Sequence, residues 1–179
     1  IGYSHNVPCD MVPESDTANL AILSYDPAVY SRGRSPLEAV SMGIQMAEDE
    51  TAIRCNAMIF ANANYNDGAG YRNTTYAFDR MGNIVGKYFK EHLTPGEVTK
   101  TRLDSDYTFE FTEPTVVEME GYRFGFLVCY DFYFYENFAH MARYNLDVII
   151  GCSHQRSDTH RALEIMSQFL AYNTNAYVI

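Results

Sequence analysis

The sequence predicts an α/β fold whose helices pack in layers against a mixed β-sheet. Three observations lead there. Two stretches, 35–50 and 160–173, repeat apolar residues at helical spacing. Two pairs of apolar runs, 74–90 and 115–129, are each joined by a tight-turn signal. Short, mostly apolar runs at 57–63 and 146–151 read as strands, the first of them buried. Helices interspersed with hairpins and buried strands are the pattern of a layered α/β domain.

In chain order, "SPLEAVSMGIQMAEDE" opens with Ser35 as N-cap, Pro36 at the first helical position and Glu38 three residues after the cap. That is a capping box with a proline start. Leu37, Val40, Ile44 and Ala47 then share one face. "AMIFANA" (57–63) is a buried strand. "TTYAFD" and "IVGKYFK" flank "RMGN", a hairpin around Gly82, and "TVVEM" and "RFGFLVC" flank "EGY", a second hairpin. "YENFAHMARYN" follows as a helix and "LDVIIG" as a strand. "HRALEIMSQFLAYN" is a helix with Leu163, Met166 and Leu170 on one side, and "AYVI" begins a last strand.

At 179 residues the chain is expected to form one domain with a full core, and 47% hydrophobic residues argue against disorder. A net charge of −10 and a pI near 4.8 exclude nucleic acid and anionic membrane as main partners, since both call for a basic face. No run approaches the ~18 apolar residues of a membrane span. The opening "IGYSHNVPCD" has neither a basic nor a long apolar region, so no signal peptide is expected, and it lacks an initiator Met. Cysteines at 9, 55, 129 and 152 form no C-x-x-C pair, so no metal site is expected and a reduced, cytoplasmic setting is. Fifteen Tyr and eleven Phe with no Trp fit core and interface better than a dedicated aromatic pocket.

"FGFLVCYDFYFYE" (124–136) carries the chemistry. An apolar run ends at Cys129, and Asp131 and Glu136 follow among aromatics. Strand ends in α/β sheets are where ligands gather. A free thiol has a pKa of about 8.5 and needs a base or a nearby cation to become a nucleophile. A lone cysteine of this kind is more often structural. A second stretch, "GKYFKEHLTPGE" (86–97), supplies Lys90, His92 and Glu97 in what reads as a loop just past a strand. Taken alone, Lys87 and Lys90 could be solvated charges and His92 a structural histidine.

Together the two stretches resemble the nitrilase superfamily of carbon–nitrogen hydrolases. "GKYFKEHL" is similar to that family's lysine motif and "GFLVCYDFYFYE" to its nucleophile motif. "YRNTTYAFDRMGNIVG" resembles its hairpin, and "LDVIIGCSHQ" with "NAYVI" its following strands. The resemblance implies a four-layer αββα sandwich, incomplete at the C-terminal end. It implies a Glu–Lys–Cys triad of Glu14, Lys90 and Cys129, no cofactor, and hydrolysis of a small non-peptide amide through a covalent cysteine intermediate. An N-carbamoyl compound, a nitrile, or a catalytically silent scaffold are the alternatives. Tyr130 would supply an oxyanion N–H. Glu97 would support Lys90, and is the other candidate for the base. Tyr133 replaces the family's arginine and Tyr135 its proline, so substrate preference does not carry over. Ser153 and His154 could line the pocket mouth, or lie in a solvated loop. A homo-oligomer is expected on the same ground.

Glu14 poses a difficulty. The family glutamate ends a strand reached after a first strand and a helix, and residues 1–14 are too few for all three at about 3.3 Å per strand residue and 1.5 Å per helix residue. The expectation is therefore a break between Asp10 and Pro13, with further strands absent after Ile179.

Overall fold

The computed structural model describes residues 2–5, 20–24, 52–66, 71–103, 115–153 and 160–179. They fall into two compact units, Ile1–Phe89 and Lys90–Ile179.

The first unit holds a five-stranded mixed sheet in the order β1-β2-β3-β4-β5. Its strands are β1 (Gly2–His5), β2 (Leu20–Ser24), β3 (Met58–Asn66), β4 (Tyr71–Phe78) and β5 (Ile84–Phe89), with a short helix α1 (Ala52–Cys55) leading into β3. β1, β2 and β3 run parallel, and β3, β4 and β5 antiparallel. "LAILS" (β2) was not read as a strand from the sequence. Residues 6–19, which separate it from β1, meet the dozen or more that a parallel crossover needs. The expected break between Asp10 and Pro13, and the helix expected over 35–50, lie outside the described residues.

The β4–β5 hairpin is fixed by its turn. Asp79 Oδ1 accepts the N–H of Met81 and of Asn83, both at 2.9 Å, and Gly82 takes φ +81°, a conformation open to glycine at no steric cost. Thr74 through Phe78 are buried without interruption, as in a strand covered on both faces.

The second unit holds a four-stranded mixed sheet in the order β6-β7-β8-β9: β6 (Val117–Met119), β7 (Tyr122–Val128), β8 (Val148–Cys152) and β9 (Tyr177–Val178). β6 and β7 form the expected hairpin. Glu120 and Gly121 both have positive φ, +54° and +82°, as a type I′ connection requires. β7, β8 and β9 are parallel. Around this sheet lie α2 (Pro95–Thr99), a 3-10 turn (Cys129–Tyr133), α3 (Tyr135–Met141) and α4 (His160–Thr174).

Leu170 of α4 is fully buried in a cluster with Leu127, Phe132, Phe138, Met141, Leu146, Ile149 and Ala176, and Leu163 and Met166 pack on its edge. The face expected of this helix is thus the one it buries. Gly151 lies under Phe132: a Cβ there would stand 2.8 Å from the ring's Cζ, so a side chain would lift the ring that anchors the 3-10 turn. Among the described residues no helix is long and apolar enough to cross a membrane.

Candidate functional site

Strand alternation carries Tyr88 and then Lys90 to the buried side, while Lys87 stays exposed. Lys90 is 1% exposed, so its ammonium requires a partner. Glu97 supplies it: Nζ lies 2.8 Å from Oε1 and 2.6 Å from Oε2.

The segment bearing Glu97 is a helix and not the loop expected from the sequence. Thr94 caps it, with Pro95 in the first turn. Thr94 Oγ1 accepts the Glu97 N–H at 3.3 Å, and Glu97 Oε2 accepts the Thr94 N–H at 2.8 Å. "TPGE" is a capping box legible in the sequence. It turns the Glu97 carboxylate back toward Lys90. Burial pushes the Glu97 carboxyl up, but the Lys90 charge and the hydrogen bonds outweigh it and hold the group below its ordinary value.

Cys129 begins the 3-10 turn directly after β7 with φ +50°. A left-handed conformation is uncommon for a residue that is neither Gly nor Asn, and costs of order 1–3 kcal/mol. It turns the chain sharply at the end of a buried strand, much as a nucleophile elbow does.

Asp131, two residues on, is fully buried. Its Oδ2 accepts the Val128 N–H at 2.9 Å, and its Oδ1 accepts the His92 N–H at 2.8 Å and lies 3.3 Å from His92 Nδ1. Its backbone carbonyl accepts from Asn137 Nδ2 at 3.1 Å. The His92 ring stacks on Phe134 with centroids 3.7 Å apart, and its Nε2 stands 3.8 Å from Glu136 Oε1. Tyr130 meets Phe134 edge-on and Tyr133 at a tilt.

Glu91 was not singled out from the sequence. Burial, and then the Asp131 charge, push its carboxyl up to about 8. A carboxyl raised in the folded state stabilises below its unfolded value, and that contribution is lost as pH rises toward about 8. Glu91→Gln should therefore lose less thermal stability than the parent between pH 6 and pH 9 in unfolding scans. Equal losses would count against the shift.

Of the expected site residues, Lys90 and Glu97 form one ion pair, and Cys129, Tyr130 and Tyr133 share the turn after β7. Ser153 directly follows β8, whose Cys152 is paired in register with Val128. Glu14 and His154 lie outside the described residues. The roles of Asp131 and Thr94 are not among the expectations; "TPGE" carries a local signal for Thr94, whereas the bond from Asp131 to His92 joins residues far apart in sequence. Among the described residues no cluster of three or more His, Cys, Asp or Glu side chains could hold a metal ion.

The architecture is the α/β fold of carbon–nitrogen hydrolases. It superposes on an amidase from Nesterenkonia sp. with a TM-score of 0.70, covering 90% of this chain and 63% of that one at 19% identity. On a carbon–nitrogen hydrolase from Helicobacter pylori G27 the TM-score is 0.63, covering 87% and 56% at 17% identity. At such identities the likeness establishes fold alone.

Sequence relationship points elsewhere. Residues 1–102 match the family model of 2,3-bisphosphoglycerate-independent phosphoglycerate mutase, and the chain belongs to that family. The mutase of that name from Methanosarcina barkeri is 46% identical over 160 residues, covering 67% of this chain and 39% of the relative. That from Methanosarcina acetivorans is 47% identical over 66 residues, covering 37% and 17%. The chain thus spans well under half the length of either mutase.

Membership of the nitrilase superfamily, and with it amide hydrolysis by a Glu–Lys–Cys triad, is overturned by the family match. What stands of that expectation is the fold, and a fold does not fix an activity. The physical reason for the error lies in the kind of support it had. The hairpin and lysine motifs (71–93) lie inside the matched residues 1–102 and the nucleophile motif and following strands beyond them, and all are short local patterns that speak to fold and not to family.

Proposed function

We propose that residues 1–102 serve a phosphoglycerate mutase reaction that needs no 2,3-bisphosphoglycerate. The observation that carries this reading is the family match over those residues. Lys90 and Glu97 lie within those residues, and the charges around them agree with phosphoglycerate being handled at another part of the same stretch. The Lys90 ammonium is already matched by Glu97, and Asp131 and Glu136 add negative charge beside the same loop. A phosphoryl group would meet repulsion there. The test is a titration of the isotope-labelled chain with 3-phosphoglycerate, followed by amide NMR. Shifts within residues 1–102, with Cys129–Tyr133 unmoved, are the expected result. Shifts centred on Cys129–Tyr133, or no shifts at all, would overturn it.

A second site is favoured by one specific observation, the left-handed backbone at Cys129. Strained backbone of this kind tends to persist at functional positions. We propose that Cys129 is a reactive thiol and that Lys90, held by Glu97, is the cation on the segment that Asp131 ties to the Cys129 turn. Tyr130, Tyr133 and Ser153 are the adjoining surface. This reading concerns the reactivity of the thiol and names no reaction.

A further inference from the structure

We infer that Asp131 is a positioning residue that clamps the Cys129 turn to the Lys90 segment. The inference rests on the reading of Cys129 as a reactive thiol. Its two carboxylate oxygens divide between two chain segments far apart in sequence. Oδ2 holds Val128, the residue before Cys129, and Oδ1 holds His92, two residues past Lys90. The carbonyl of the same residue ties in Asn137 of α3. A fully buried carboxylate is costly unless hydrogen-bonded, and these bonds come from the backbone of both site segments.

The positive φ at Cys129 calls for something that over-determines the turn, and the bond from Val128 N–H to Oδ2 spans it. The titratable groups around the clamp are His92 at 3.3 Å, Glu136 beyond the far ring nitrogen, and Glu91, whose carboxyl senses the Asp131 charge. Without the carboxylate, Val128 N–H and His92 N–H lose their acceptor, and the thiol and the ammonium are no longer held by one group.

The experiment is the pH profile of iodoacetamide alkylation at Cys129, read by mass spectrometry in the full chain, with buried Cys152 as internal control. In the parent protein Cys129 should label well ahead of Cys152. Equal labelling there would overturn the thiol reading itself, before any variant is made, and the clamp with it. Asp131→Asn should lower the Cys129 rate at least tenfold at neutral pH and move the midpoint of the profile upward, with Cys152 still protected. The direction is diagnostic. Mere removal of a negative charge would move the midpoint down, whereas loss of register with Lys90 moves it up. An unchanged rate and midpoint, or a downward midpoint, would overturn the clamp. If Cys152 becomes exposed in Asp131→Asn, His92→Phe decides instead: it keeps a ring on Phe134 and the His92 backbone N–H on Asp131, and removes the ring-nitrogen contacts to Asp131, Asn137 and Glu136. A smaller upward shift then supports the clamp, and no shift overturns it.

Discussion

Glu97→Ala should destabilise the second unit by about 3 kcal/mol in urea unfolding at neutral pH, because it strands a buried ammonium. Breaking a buried ion pair from one side costs roughly 3–5 kcal/mol. Lys90 is 1% exposed and Glu97 18%, so the low end of that range applies. The loss has three sources: the paired charge at 2.6 Å, the N-terminal cap of α2, and a lysine left without its acceptor. Replacing both partners, Lys90→Met with Glu97→Leu, should restore most of the stability, since an apolar pair of similar volume removes the uncompensated charge. A single-variant loss under about 1 kcal/mol would mean that the pair is solvated and that the Glu97 carboxyl is not held low. The sign with pH follows. A depressed carboxyl contributes above its unfolded value and loses that contribution as pH falls through the folded one, so parent and Glu97→Ala should converge in acid.

Leu170→Ala should cost about 2–5 kcal/mol, the range for removing a large side chain from a closed core. Leu170 is the fully buried side chain of α4, and the cluster it fills includes Phe132 of the Cys129 turn and Phe138 and Met141 of α3. Ring and helix on either side can collapse only partly into the space, because Phe132 is seated over Gly151. A cost below about 1 kcal/mol would show that α4 is loosely docked.

Much of the second unit was legible in the sequence because its signals are local. Turn residues and the apolar run of β7 mark the β6–β7 hairpin, helical spacing marks the face of α4, and in the first unit turn residues mark the β4–β5 hairpin. The first unit was less so. β2 is a short apolar run, "LAILS", and the Pro–Glu pair of "MVPE" upstream of it carries the stronger resemblance to the family's second strand. Glu97 reads as a loop residue because its helix has only five residues, too few to show a helical period, although Thr94 and Pro95 announce its start. Asp131 illustrates a different limit. Its bond to His92 spans thirty-nine positions, and no local pattern encodes it. The family relationship was hidden for a related reason. The motifs at 71–93 lie inside the matched residues 1–102, yet they are patterns of the fold and do not mark that family.

The most direct measurement is phosphorus NMR of the purified chain incubated with 3-phosphoglycerate alone, without 2,3-bisphosphoglycerate. The mutase reaction proposed for residues 1–102 predicts a growing 2-phosphoglycerate resonance, at an unchanged rate when Cys129 is replaced by Ala. No 2-phosphoglycerate with either protein would contradict the account, and conversion abolished by Cys129→Ala would contradict the separation of the two sites.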